Sequence, residues 1–300
     1  MHTRRRKRQR IGTGVVALAV AAAALAGCGA PGSGSPDSAE RGSPAPRPAP
    51  VWDRSPGSVA AVGDSITRGF DACGVLVDCP AVSWATGTDT SVRSLAARLI
   101  GDPSVADRSW NDARSGARMA DLPDQMTRAV AHHPDLVTVM VGANDACRKS
   151  TKVMTTVKKF RSSFVKAMGL LRSKSPKTQV YVSSVPDLKR LWSTGRGNPL
   201  GREIWKLGLC ASMLGNAQDN SAGARKRRQK VYDRVVAYNG VLKDVCARDR
   251  LCRYDGGAVF DFRFTGAQLS QWDWFHPSTS GQGRLAEIAY RNVVAANPPA

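Results

Sequence analysis

Leu136-Val137-Thr138-Val139-Met140-Val141 is a nearly unbroken apolar run of strand length, rich in β-branched residues, that stops at Gly142-Ala143-Asn144-Asp145. A strand with no polar face must be covered on both sides, as strands of a parallel sheet between two helical layers are. Ser58 to Val62 has the same character, and after it come Gly63-Asp64-Ser65 and, at Gly69, a turn. From Ser58 onward such runs alternate with helical patterns, which predicts an α/β class with a parallel sheet covered on both faces.

Helical faces are marked by Val92, Leu95, Ala96, Leu99 and Ile100, by Met119, Leu122, Met126 and Val130, and by Val153, Val157, Phe160, Phe164, Met168 and Leu171. Ser104 to Arg108 reads as a weak second strand and Gln179 to Ser184 as a fourth. Pro186 to Gly223 breaks the rhythm, and connections this long inside a compact domain usually serve a site. Its Trp192 and Trp205 offer apolar walls for such a site. A helix over Arg228 to Val245, a strand over Ala258 to Phe262 and a last helix over Ser278 to Val294 complete the domain.

The amino end belongs to no fold. Arg4-Arg5-Arg6-Lys7-Arg8 is a positive n-region, Ile11 to Ala24 an apolar h-region too short for a confident membrane span, and Leu25-Ala26-Gly27-Cys28 follows. The ending resembles a bacterial lipobox, which implies cleavage after residue 27 and lipidation of Cys28. Residues 28–56, rich in Gly, Ser, Pro and Ala, read as a flexible tether, and residues 57–300 as the folded domain. The expected location is the extracellular face of a cell membrane, held by the lipid, with the route of export left open. Residues 1–27 carry six Lys and Arg and no acid, so their removal lowers the formal charge from +20 to +14. Such a surface suits anionic head groups or wall polymers. Nucleic acid is not an expected partner: Arg225-Lys226-Arg227-Arg228 runs into a helical pattern and reads as a solvated helix start.

Beyond Cys28 the chain has six cysteines, and an even number in an exported chain argues for disulfides. Fifteen connectivities are possible in principle. Local spacing favours Cys73 with Cys79, Cys147 with Cys210 and Cys246 with Cys252. No Cys-x-x-Cys pair occurs and the chain has four histidines, so no metal and no cofactor is expected.

Four segments fall where strands end or the last helix begins: Gly63-Asp64-Ser65, Trp110 to Ala117 with Gly116, Gly142-Ala143-Asn144-Asp145, and Asp273-Trp274-Phe275-His276. Taken singly, each is an ordinary turn. Parallel strands bring their carboxyl ends to one edge of the sheet, where open α/β sheets bind ligands, so Ser65, Gly116 and Asn144 should converge there. His276 must be delivered by the last loop, because His132 and His133 precede the third strand.

In their order these segments resemble the conserved blocks of the SGNH (GDSL) esterase and lipase superfamily, and the six cysteines resemble its secreted actinobacterial, disulfide-bearing branch. The resemblance implies a flavodoxin-like three-layer α/β/α fold with strand order 2-1-3-4-5. It also implies Ser65 as nucleophile, His276 as general base and Asp273 as the group orienting it, although in some members of that branch a backbone carbonyl replaces the acid. The backbone N–H groups of Ser65 and Gly116 and the side-chain amide of Asn144 would form the oxyanion hole. Asp64 and Asp145 are read as holding their own turns. The expected substrate is a small-molecule or lipid ester and the expected state a monomer. A carbohydrate O-deacetylase of the same fold and an inactive ligand-binding lipoprotein are the alternatives.

Overall fold

A computed structural model describes residues 51–297 of the protein; the expected signal peptide, Cys28 and nearly all of the expected tether lie outside the described residues. Five strands, β1 (Val59–Gly63), β2 (Ser109–Asn111), β3 (Leu136–Met140), β4 (Gln179–Val182) and β5 (Cys252–Tyr254), form one sheet in the order β2-β1-β3-β4-β5. Every pairing is parallel, with Val59 opposite both Ser109 and Leu136. β1, β3 and β4 are buried along their whole length, as strands of mainly apolar composition between two helical layers are.

The helices are α1 (Leu95–Ile100), α2 (Val105–Arg108), α3 (Leu122–Ala131), α4 (Ala143–Ala146), α5 (Val157–Lys174), α6 (Leu188–Gly195), α7 (Pro199–Lys206), α8 (Ala211–Leu214), α9 (Ala222–Cys246), α10 (Ala258–Asp261) and α11 (Thr279–Val294). α3, α5 and α9 pack side by side, and α1 packs on α11. Right-handed crossovers put these two groups on opposite faces of the sheet, giving three layers.

Two expected strands are misplaced. Val105–Arg108 is a helical turn, not a strand, because Pro103 begins a tight turn and Val105 continues it into the core. The strand is the next three residues, Ser109–Asn111, half-buried at the sheet edge. Ala258–Asp261 is likewise helical: Gly256 and Gly257 turn the chain with φ of 67° and 90°, and the Asp255 carboxylate accepts the N–H of Gly257 and of Val259. The last strand is Cys252–Tyr254, in which Arg253 is buried with its guanidinium donating to the carbonyls of Asn292, Val293 and Ala295.

The cysteines are bonded 73–79, 147–210 and 246–252. The middle bridge ties the loop after β3 to the segment between α7 and α8. Ser212 reinforces it, its N–H donating to Arg148 O and its hydroxyl to Ala146 O. Closing a loop of this length is worth about 4 kcal/mol in chain entropy.

Candidate active site

β1 ends at Gly63, packed so tightly that an added Cβ would lie 2.3 Å from Met140 O of β3. The Gln125 side chain holds both the N–H and the carbonyl of Gly63, at 2.7 and 2.9 Å. Asp64 accepts the N–H of Ile66 at 3.0 Å, and Phe70 N–H returns to Ser65 O, so Ser65 opens a tight turn at the sheet edge. Its hydroxyl lies 2.9 Å from His276 Nε2.

The histidine loop is built to present that ring. Asp273 Oδ1 accepts the N–H groups of Phe275 and His276, while Oδ2 is 2.5 Å from His276 Nδ1. The one carboxylate therefore shapes the turn and orients the imidazole. Ser278, the cap of α11, follows directly and accepts the N–H of Gly281. Phe70 and Phe275 meet the His276 ring edge-on, at 5.1 and 5.5 Å between centroids.

Asn144 opens on the same cavity as Ser65 and His276 and donates one amide hydrogen to Ala117 O at 3.0 Å. That bond fixes the loop on which Gly116 sits. Gly116 has φ +79°, and apart from its chain neighbours no atom lies within 4 Å of where its Cβ would be, so that side of the loop is open. Asp145 differs from expectation: its Oδ2 accepts the N–H of Met119, 26 residues away, rather than holding its own turn. It thereby anchors the far end of the Gly116 loop. Ser115, next to Gly116, donates to Asp78, which also pairs with Arg68. Neither remaining histidine of the described domain joins the site, since His132 stacks on Trp110 at 4.8 Å and His133 lies beside Pro134 at the start of β3.

Burial disfavours the imidazolium of His276, but the Asp273 carboxylate outweighs it, with Asp71 and Asp64 adding to the effect, and the ring holds its proton above the ordinary histidine range. Burial would raise Asp273, yet His276 and the two backbone N–H groups hold it below the usual carboxylate range. Asp64 is the reverse case: burial pushes it up to about 7, and among the described residues its Oδ2 has no partner.

The cavity beside Ser65 has a volume of about 60 Å³, with Leu188, Leu191, Leu209 and the Cys147–Cys210 bridge among its walls. Trp192 and Trp205, read as apolar walls for such a site, stand behind it instead. The Trp192 indole donates to Ala217 O, and the Trp205 indole donates to Asp273 O at 2.7 Å. Asp71, which no sequence pattern singled out, belongs to the site as well, because one carboxylate oxygen each of Asp71 and Asp273 and one ring nitrogen of His276 lie within 4.8 Å of one another. Three such side chains could in principle hold a cation, but Nδ1 of the ring and Oδ2 of Asp273 are already engaged with each other.

A profile of the family GDSL-like Lipase/Acylhydrolase matches residues 59–289. No curated protein matches the chain in sequence. Among solved structures, a GDSL-like lipase from Parabacteroides merdae aligns at 16% identity over 82% of this chain and 99% of its own, with a TM-score of 0.52. An acetylxylan esterase from Geobacillus stearothermophilus aligns at 18% identity over 80% and 95%, with a TM-score of 0.49. An extracellular lipase from Streptomyces rimosus aligns at 17% identity over 79% and 99%, with a TM-score of 0.44.

Proposed function

Since this chain belongs to the GDSL-like lipase/acylhydrolase family, we propose that it hydrolyses carboxylic esters through an acyl-enzyme on Ser65. The observation that carries this is the contact of Ser65 Oγ with His276 Nε2 while Nδ1 is held by Asp273. Ser65 Oγ attacks the ester carbonyl carbon as its proton passes to Nε2. Asp273 keeps the imidazole in the tautomer that can accept that proton and balances the imidazolium. The N–H groups of Ser65 and Gly116 and the free hydrogen of the Asn144 amide receive the oxyanion, each such donor typically lowering the barrier by about 3 to 4 kcal/mol. Collapse expels the alcohol, which takes the proton from Nε2, and water then repeats the sequence on the acyl-enzyme.

The acyl group we infer is short. The cavity beside Ser65 is small, about 60 Å³, and its walls include Leu188, Leu191 and Leu209, which suits an acetyl or propionyl group better than a long chain. This favours small-acyl esters, including O-acetylated carbohydrates, over long-chain lipids. A fluorophosphonate probe should label the wild type and leave Ser65→Ala unlabelled; equal labelling would remove the mechanism. p-Nitrophenyl acetate should be hydrolysed with a kcat/KM at least tenfold above that for the octanoate and palmitate esters. The opposite order would discard the short-acyl reading and leave the mechanism standing.

We also propose that the protein is exported and held by lipid on Cys28. The support is the basic n-region, the apolar segment after it, the lipobox-like ending and three disulfides, which persist in oxidising compartments. Wild type should incorporate labelled fatty acid and migrate as the cleaved form, while Cys28→Ala should do neither. Equal incorporation of label by the two would refute the anchor.

A further inference from the structure

Asp71 lies in the loop after β1, 1% exposed, with φ +58°. Its backbone and side chain are tied on two sides. Its Oδ1 accepts the N–H of Leu76 at 2.5 Å and its own N–H donates to Val77 O at 3.0 Å, both inside the loop closed by Cys73–Cys79. From the histidine loop, Ser270 Oγ donates to Asp71 O at 2.7 Å. A buried carboxyl in the left-handed region beside a second carboxyl combines backbone strain, desolvation and like-charge repulsion. An apolar residue there would avoid the last two.

We propose that Asp71 is a positioning residue for the His276–Asp273 pair: it locks the Cys73–Cys79 loop against the pair and sets a second carboxylate opposite the imidazolium that forms in each half-reaction. This rests on the ester-hydrolase reading above. The groups facing His276 are Asp273 from its own turn, with Asp71 and Asp64 from the segment after β1, and Asp64 is itself faced by Asp145 from α4. Asp71 faces Asp273 and His276. Burial and then the Asp273 carboxylate push Asp71 up to about 6. Above that pH two carboxylates balance the imidazolium. Below it the protonated Asp71 can donate to Asp273 and hold that carboxylate in place while the extra charge is gone.

Asp71→Asn tests this, because the amide keeps an acceptor for Leu76 N–H and a donor toward Asp273 but carries no charge. The acid limb of its kcat/KM profile should move down by about one pH unit relative to wild type, with KM little changed and kcat reduced several-fold. A purely structural role would lower the whole profile without moving its inflection. A profile superimposing on the wild type, or lowered without a shift, would overturn the proposal. If Asp71→Asn does not fold, the Nδ1 proton of His276 can be titrated by NMR in the wild type. Two inflections are expected there, one for the ring and one for Asp71, and a single one-proton curve would overturn the proposal equally. Failure of Ser65→Ala to abolish labelling would instead strike the ester-hydrolase reading itself, so the two failures are separable.

Discussion

At the residue scale, two glycines flanking the catalytic edge do different work. Gly63 has no room for a side chain, since a Cβ there would collide with Met140 O. Gly63→Ala must push β1 away from β3 and should lower the unfolding free energy by roughly 3 kcal/mol, read from the denaturant midpoint. Gly116 has room but a backbone with φ +79°. Gly116→Ala should cost only about 1 kcal/mol of strain, yet reduce kcat/KM by at least roughly tenfold by tilting the N–H that we assign to the oxyanion. Equal stability losses in the two variants would contradict this division. Ser65, Asn144 and His276 were legible in the sequence because they punctuate apolar runs or precede a capped helix. Asp71 was not, because nothing in Gly69-Phe70-Asp71-Ala72 marks which way a side chain turns. The bond from Asp145 to Met119 was hidden for a different reason, since it joins segments that only the folded sheet brings together.

At the scale of elements, the segment between β4 and α9 serves the site by bracing it. α6 and α7 close around the histidine loop at glycines: a Cβ on Gly195 would meet Trp274 O at 2.4 Å, and one on Gly201 the Trp274 side chain at 2.8 Å. From α7 the Trp205 indole bonds the Asp273 carbonyl. Trp205→Phe keeps the packing and deletes that bond. It should destabilise the protein by about 1 kcal/mol and lower kcat several-fold, while the preference for acetate over octanoate stays as it was. A changed chain-length preference would return Trp205 to the acyl cleft. The helices of this segment were not foreseen, because glycines and prolines at their ends masked the periodicity. Gly195 and Gly201 are inside or at the ends of helices for close packing, where a sequence reader takes them for breaks. β1, β3 and β4 were readable from apolar runs alone. β2 and β5 were not, since each spans three residues at a sheet edge and carries polar side chains that find their partners only in the fold.

At the scale of the whole molecule, stability and activity should respond to pH in opposite senses. Asp64, Asp71, Asp112, Asp145 and Asp255 are all raised, in each case mainly by burial. The folded state therefore holds protons that the unfolded chain releases near 3.8, and stability declines as pH climbs from there through about 7. His276 acts in the same direction, its stabilising proton being fully present below 6.5 and lost as pH passes its raised folded value. Asp273 has the other sign, contributing above 3.8 and failing only in stronger acid. In buffers of high ionic strength, which screen the general surface charge, the melting temperature should be higher at pH 5.5 than at pH 8, while kcat/KM rises over that interval as His276 becomes neutral. A melting temperature that increases toward pH 8 would contradict the assignment of these carboxyls. The ends of the domain have a consequence of another kind. The Trp52 indole donates to Val293 O, and the Arg253 guanidinium lies 4.4 Å over the Trp52 ring. The first and last described segments thus leave together from the rim where the strands begin, opposite the rim that carries Ser65. Coupling through the amino end to a bead or a sensor chip would leave the reactive mouth pointing into the liquid, so immobilised enzyme should work without a spacer chosen to turn it around.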